Sequence, residues 1–130
     1  KNFFGREVVY VTGITPALSA SAAEVTREAL QAARAANIGT SIDLNYRNKL
    51  WSPAEAGKWM REFMTLCDVL VTTEEDVNIV FGITGDDDAA VAKKLMETFP
   101  LKSVAITLRQ NPLVWRNSWT AIAYQKGEVL

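Results

Sequence analysis

The sequence contains no histidine and a single cysteine, Cys67. Without histidine, a Ser-His-Asp or Cys-His catalytic centre is impossible, and zinc and non-haem iron sites lose a common nitrogen ligand. One cysteine excludes an internal disulfide and a cysteine-rich zinc site. We expect a buried thiol in a reducing, cytoplasmic setting. Any chemistry must therefore use carboxylates, Arg, Lys, hydroxyls and backbone amides.

Clustered charge and long apolar runs are also missing. The 14 basic and 15 acidic residues are interleaved, giving a net charge of -1, whereas a nucleic-acid-binding face needs clustered Lys and Arg. No apolar run approaches the roughly 20 residues of a membrane span, and no signal-peptide pattern opens the chain. We therefore expect neither nucleic acid nor membrane as a partner. The absence of G-x-x-x-x-G-K-[ST] and G-x-G-x-x-G disfavours P-loop NTPases and dinucleotide-binding dehydrogenases.

Short β-branched runs alternate with longer amphipathic runs, which is typical of βα units. The predicted strands are Glu7–Gly13, Thr40–Asn45, Asp68–Thr72 and Ser103–Leu108. Right-handed crossovers between them imply a parallel sheet. After the fourth strand the pattern alternates, with a turn at Lys126–Gly127, which indicates an antiparallel hairpin. We predict an α/β, three-layer Rossmann-like fold with helices on both faces of the sheet and this hairpin at its end.

Three helix starts can be predicted from capping residues. Ser21 is followed by an acidic residue at capping-box spacing, and Ser52 precedes Pro53, which favours the first helical position. Thr73 and Asp76 form a further capping pair at the start of the helix after the third strand.

The residues after each strand are predicted to form the functional edge, because ligands of parallel α/β sheets bind outside the carboxyl ends of the strands. These exits are Thr12–Thr15, Asn45–Arg47, Thr72–Thr73 and Thr107–Asn111. Their hydroxyls, amides and two guanidinium groups suit an anionic, hydroxyl-rich ligand such as a carboxylate, phosphate or sugar. One polar loop alone carries no such meaning, but four together predict an anion-binding edge.

The segments "VTGITPALS", "DLNYRNKLW", "DVLVTTEEDVNIVFG" and "VAITLR" resemble, in order and spacing, the ribokinase-like (PfkB-type) carbohydrate kinases, and most closely the 2-keto-3-deoxygluconate kinase branch. The resemblance implies transfer of the γ-phosphoryl group of ATP, with Mg²⁺, to a hydroxyl of a sugar acid. It also implies that residues 1–130 are a single α/β domain excerpted from a larger kinase domain. The family's catalytic Asp, in a "G-A-G-D" loop, would lie outside this chain.

The resemblance assigns roles to matched positions. The substrate-binding residues would be Ile14 and Arg47, and the residues near the nucleotide would be Asn45, Arg47, Thr73, Thr107 and Arg109. Two positions depart from the family pattern. Thr73 and Asp76 replace the Asn and Glu of an "N-x-x-E" motif that serves magnesium and phosphate, and Arg109 stands where many relatives have Gly.

Other functions remain open at the level of sequence. The chain could be a non-catalytic α/β module that binds a sugar acid or nucleotide, and a downstream "G-A-G-D" in the gene would distinguish the kinase from this alternative. A receiver-like signalling domain is disfavoured, because "VTGIT" lacks the paired acids that such domains carry after the first strand. Self-association into a homo-oligomer is compatible with either function.

Overall fold

The computed structural model describes the backbone of residues 7–113, 116–125 and 128–129, and the side chains of residues 7–107 and 122–125. The elements in chain order are β1 Val8–Thr12, α1 Ile14–Ala17, α2 Ala20–Ala35, β2 Gly39–Asp43, α3 Pro53–Met64, β3 Val69–Thr72, α4 Glu74–Phe81, α5 Asp88–Thr98, β4 Ser103–Leu113, β5 Arg116–Gln125 and β6 Glu128–Val129. No helix in these ranges is long and apolar enough to cross a membrane.

The strands form one sheet in the order β1-β2-β3-β4-β5-β6. Strands β1 to β4 are parallel, β5 pairs antiparallel with β4, and β6 pairs antiparallel with β5. The predicted α/β class, the parallel sheet and the antiparallel addition are therefore confirmed. The predicted turn at Lys126–Gly127 lies outside the described residues.

The helices pack on one face of this sheet. Buried residues alternate along each parallel strand and join the helices in a single core, as Ile42, Leu70 and Ile106 do with Leu30 and Phe63. Strands added in one direction with right-handed crossovers place all crossover helices on the same side. The second helix layer that the sequence analysis predicted is not among the described residues.

The opposite face of the sheet, here called the open face, is half-buried or exposed. Its residues on the four parallel strands are Val8, Tyr10, Thr12, Gly39, Ser41, Asp43, Val69, Val71, Ser103, Ala105 and Thr107. Tyr10 is 60% exposed and Val8 is 46% exposed. Parallel sheets in compact domains are normally covered on both faces, so the open face is unusually accessible for such a sheet.

Two of the three predicted helix starts are confirmed. The side chain of Ser52 accepts the N–H of Glu55 at 3.1 Å before Pro53, and Thr73 caps α4. Helix α2 differs: its N-cap is Ser19, which accepts the N–H of Ala22 at 3.0 Å. The prediction of Ser21 was wrong because two serines lie at the helix start, and Ser19 is the one with an extended backbone.

Cys67 lies between α3 and β3 and is fully buried, as predicted. Burial raises the pKa of its thiol to about 12. The thiolate, which is the reactive form, is therefore negligible at neutral pH. Cys67 is a packing residue.

The amino ends of β2, β3 and β4 are joined around Asp68, which is 5% exposed. Its Oδ2 accepts the backbone N–H of Thr40 at 3.0 Å, and its own N–H donates to the hydroxyl of Thr40 at 3.0 Å. Its carbonyl accepts the N–H groups of Lys102 and Ser103 at 2.8 and 3.2 Å. Arg34 and Lys102 approach its Oδ1 at 3.5 and 3.7 Å. One residue thus aligns three strands.

Two substitutions of Asp68 should distinguish the contribution of its hydrogen bond to stability from the contribution of its charge. Asp68→Ala leaves the buried N–H of Thr40 without its acceptor and should lower the free energy of unfolding by about 2 kcal/mol. Asp68→Asn keeps an oxygen acceptor and should cost less than half as much, because ion pairs with exposed Arg and Lys side chains contribute little. Urea unfolding measures both. Equal losses in the two variants would contradict this assignment.

Because apolar side chains are exposed on the open face, we expect the chain to bind hydrophobic dyes and to self-associate. Tyr10→Thr combined with Val8→Thr places Thr, a residue with good strand propensity, at both positions and should reduce dye binding and association. Val25→Thr is the matched control, because Val25 is 62% exposed but lies on helix α2. Dye fluorescence and sedimentation measure the effect. An equal response to the control variant would show that the open face has no special part in association.

Candidate active site

A cavity of about 540 Å³ lies at the carboxyl edge of the sheet. It is lined by Asp43, Asn45, Arg47, Val71, Thr72, Thr73, Glu74, Glu75, Asp76 and Thr107. These residues come from β2, β3, β4, the loop after β2 and the first turn of α4. Asp43, Val71 and Thr107 belong to the open face, so the cavity lies where the carboxyl edge meets that face.

The loop after β2 leaves the sheet through an unusual backbone conformation at Asn45. The N–H of Leu44 still donates to the carbonyl of Val71 at 2.9 Å, continuing the pairing with β3. Asn45 then adopts the left-handed region with φ 41°, which Asn tolerates better than most residues. Its side-chain Nδ2 donates to the hydroxyl of Thr12 at 3.3 Å. The chain therefore turns sharply and is tied to the end of β1.

Tyr46 anchors the next part of this loop. Its side chain is buried, and its hydroxyl donates to the carbonyl of Trp51 at 2.9 Å. Its backbone N–H donates to Oδ2 of Asp76 in α4 at 3.1 Å. The carbonyl of Arg47 accepts the N–H of Leu50 at 3.0 Å and closes the turn before α3. The backbone of Arg47 is thus held in the turn, while the residue is exposed and lines the cavity.

Asp43 is a half-buried carboxylate in the cavity wall. The hydroxyl of Tyr10 donates to its Oδ2 at 3.4 Å across the open face. Burial raises the pKa of Asp43, while the Tyr10 hydroxyl and the Arg47 guanidinium oppose that rise. Asp43 is thus a hydrogen-bond acceptor directed to the cavity side of the sheet.

Asp76 is the other partly buried carboxylate of the cavity. Burial and the negative charges of Glu75 and Asp43 raise its pKa, while the Tyr46 N–H and the Arg47 guanidinium lower it. With Glu74 as the fourth, four carboxylates line the cavity, and Arg47 is the one guanidinium among its described side chains. The cavity therefore combines one anion-binding group with several acceptors for hydroxyl groups or for the water shell of a cation.

Four of the predicted site residues meet at this cavity: Asn45, Arg47, Thr73 and Thr107. The hydroxyl of Thr73 caps α4 by accepting the N–H of Asp76 at 3.1 Å, as the capping prediction required. The hydroxyl of Thr107 donates to the carbonyl of Thr72 at 3.3 Å. Ile14 begins α1 and is not among the lining residues, so its contact with a substrate stays a prediction.

The predicted exit of the fourth strand was wrong. The predicted strand ends at Leu108, with Thr107–Asn111 as its exit, but β4 continues to Leu113. It continues because β5 supplies an antiparallel partner, with Leu108 opposite Thr120 and Arg109 opposite Trp119. The side chain of Arg109 lies outside the described residues, and its nucleotide contact stays a prediction.

Sequence reasoning missed three carboxylates of the cavity. Asp43 lies inside the predicted strand Thr40–Asn45, and Glu74 and Glu75 lie in the predicted helix start after the third strand, so none of them is among the predicted strand exits. The sequence does contain a signal for these positions. The alternation of β2 places Asp43 on the face of the sheet away from the buried Ile42, and the two glutamates directly follow a strand exit.

Comparisons with known proteins agree with this architecture. The pfkB family of carbohydrate kinases matches residues 1–126. A 2-dehydro-3-deoxygalactonokinase of Haloferax volcanii is 39% identical over 111 residues, which cover 85% of this chain and 35% of that protein. The crystal structure of a 2-dehydro-3-deoxygluconokinase of Thermotoga maritima superposes with a TM-score of 0.89 at 32% identity, over 98% of this chain and 40% of that one.

A fructokinase of Xylella fastidiosa shares the fold alone, with a TM-score of 0.71 at 22% identity over 98% of this chain and 38% of that chain. The chain spans between about a third and two fifths of the length of these relatives. Its sheet and cavity define a mostly parallel α/β domain with a cavity at the carboxyl edge, where ligands of such sheets bind. The chain belongs to the pfkB family of carbohydrate kinases.

Gly13 should be essential to the geometry of this edge. Its N–H donates to the carbonyl of Asp43 at 2.8 Å, and a Cβ at this position would lie 1.9 Å from the carbonyl oxygen of Leu44. Gly13→Ala must therefore displace the backbone after β2, and we expect a loss of roughly 1–3 kcal/mol of stability. NMR should show shifts of the Asn45 and Tyr46 amides. Thr15→Ala, at an exposed position of α1, is the control, and equal shifts in both variants would contradict the prediction.

Proposed function

We propose that the full-length protein containing this chain transfers the γ-phosphoryl group of ATP to a hydroxyl of a sugar acid of the 2-keto-3-deoxygluconate type. The observation that carries the proposal is the position of Arg47, the one guanidinium among the described side chains of a cavity lined mostly by carboxylates and hydroxyls. A guanidinium binds a planar carboxylate through two parallel hydrogen bonds. The relatives from Haloferax volcanii and Thermotoga maritima, both named as kinases of 2-dehydro-3-deoxy sugar acids, support this substrate class.

The carboxylates of the cavity support a polyhydroxylated acceptor. Asp43 accepts a hydrogen bond from the Tyr10 hydroxyl, and the same chemistry would receive hydroxyl groups of a sugar acid. A sugar acid thus offers an anion to Arg47 and donors to the carboxylates. A ligand that consisted only of anionic groups would be repelled by the four carboxylates.

ATP and Mg²⁺ also fit the residues present. Mg²⁺ in phosphoryl-transfer sites is held by one or two carboxylates together with substrate phosphates and waters. The exposed Glu74 and Glu75 in the cavity lining would contact that water shell. No group of three His, Cys, Asp or Glu suited to a metal occurs among the described residues, so the phosphates would have to complete the coordination. When bound, the ion neutralises charge that develops on the transferring phosphoryl group.

This chain's own part in the reaction would be binding and orientation. Arg47 would hold the acid end of the acceptor, and Asn45, Thr73 and Thr107 would supply polar contacts near the phosphates. Phosphoryl transfer depends mainly on positioning and electrostatic stabilisation. A general base for the acceptor hydroxyl would come from outside these residues, and the buried, protonated Cys67 fits a reducing, cytoplasmic setting.

Arg47→Ala in the full-length protein tests the proposal. One charge-assisted hydrogen bond contributes roughly 1.5–3 kcal/mol, so kcat/KM for the sugar acid should fall by about 10- to 100-fold. A neutral analogue that lacks the carboxylate should lose much less. Arg47→Lys should recover only part of the activity, because an ammonium group cannot bind two oxygens in parallel.

Equal losses with the sugar acid and with the neutral analogue would contradict the role of Arg47 as the carboxylate-binding group. Calorimetry alongside the kinetic assay distinguishes the kinase from the non-catalytic binding module. Binding of the sugar acid by calorimetry without turnover of ATP would identify a binding module.

A further inference from the structure

We propose that Asp76 is a positioning residue for Arg47: its carboxylate fixes the loop after β2 so that the guanidinium faces the cavity. The inference rests on the proposed function, since it takes Arg47 as the group that binds the acid end of the acceptor. It gives Asp76 a hydrogen-bonding role, distinct from contact with magnesium or phosphate.

The contact that carries the inference joins two elements 30 residues apart in sequence. Oδ2 of Asp76, in the first turn of α4, accepts the backbone N–H of Tyr46 at 3.1 Å. Tyr46 lies beyond the end of β2 at Asp43, so its N–H has no partner in the strand pairing of β2. The peptide that Asp76 holds therefore joins Asn45 to Tyr46, one residue before Arg47.

The loop depends on such a contact because its backbone is not regular. Asn45 has φ 41° in the sparsely populated left-handed region. On one side the Asn45 side chain is tied to Thr12, and on the other the Tyr46 hydroxyl is tied to the carbonyl of Trp51. Between these two side-chain anchors Asp76 holds the backbone itself, and on the far side the carbonyl of Arg47 accepts the N–H of Leu50. Without the Asp76 contact, rotation of the peptide that joins Asn45 to Tyr46 would change the direction in which Arg47 leaves the loop.

The position of Asp76 is itself fixed. Its N–H is bound by the Thr73 hydroxyl at 3.1 Å, and its neighbour Val77 is fully buried in the core. A residue held in this way at a helix start can transmit the position of α4 to the loop. Asp76 is also partly buried, which restricts the access of water to its hydrogen bond with Tyr46.

Two substitutions in the full-length protein separate the hydrogen bond from the charge. Asp76→Asn removes the charge but keeps an oxygen that can accept the Tyr46 N–H, whereas Asp76→Ala removes both. Asp76→Ala should raise KM for the sugar acid by about 10-fold, because the free energy of one hydrogen bond corresponds to roughly a tenfold change in binding. The change in kcat should be smaller. Asp76→Asn, which keeps an acceptor for the Tyr46 N–H, should raise KM by clearly less than Asp76→Ala does. Asp86→Ala removes an exposed carboxylate outside the cavity and serves as the control.

A double-mutant cycle tests whether the effect passes through Arg47. In an Arg47→Ala background, Asp76→Ala should raise KM little further, because residues that act through one another are not additive. Additive effects would overturn the proposal. So would an Asp76→Asn variant as impaired as Asp76→Ala with kcat as the main loss, since that pattern indicates a carboxylate that contacts the metal or phosphates.

Hydrogen exchange of the Tyr46 amide provides a readout without substrate. It should be faster in Asp76→Ala and near the wild-type rate in Asp76→Asn, because the N–H is protected by its acceptor. An unchanged rate in Asp76→Ala would overturn the proposal whatever the kinetics. If the exchange rates behave as expected but neither Arg47→Ala nor Asp76→Ala changes KM, the proposed function fails, and with it the positioning of a substrate-binding group.

Discussion

The register of the parallel strands is set at their amino ends, where Asp68 binds β2 through Thr40 and β4 through the N–H groups of Lys102 and Ser103. Everything at the opposite, carboxyl edge depends on this alignment. A slip of one residue would exchange the two faces of a strand. Asp43 would then turn into the core and Ile42 would turn out of it. The cavity at the carboxyl edge therefore depends on the buried Asp68 at the amino ends, which keeps β2, β3 and β4 in register.

Features set by local sequence could be predicted. The alternation of β-branched and amphipathic runs identified the βα units and the parallel sheet, because periodicity reflects which side is buried. The start of α3 at Ser52 and Pro53 and the capping of α4 by Thr73 follow from residues three or four positions apart. At the site, Asn45 and Arg47 could be placed at the cavity from their position just after a strand.

Features set by distant contacts could not. The extension of β4 to Leu113 depends on pairing with β5, which the composition of β4 alone does not reveal. The choice of Ser19 over Ser21 as N-cap is made by the backbone entering α2. The role of Asp76 depends on an N–H 30 residues away, so its spacing from Thr73 indicated a helix start and nothing of the loop it holds.

The open face has a consequence for ligand binding, because Asp43, Val71 and Thr107 belong both to that face and to the cavity. Any further structure that covers the face must border the bound ligand. Occupancy of the cavity and closure of the face would then share a coupling free energy, and linkage requires this coupling to be reciprocal. If a ligand in the cavity strengthens the binding of the covering structure to the open face, the covered form must bind that ligand more tightly than the uncovered form. Substrate affinity and the cohesion of the surrounding protein would therefore rise and fall together.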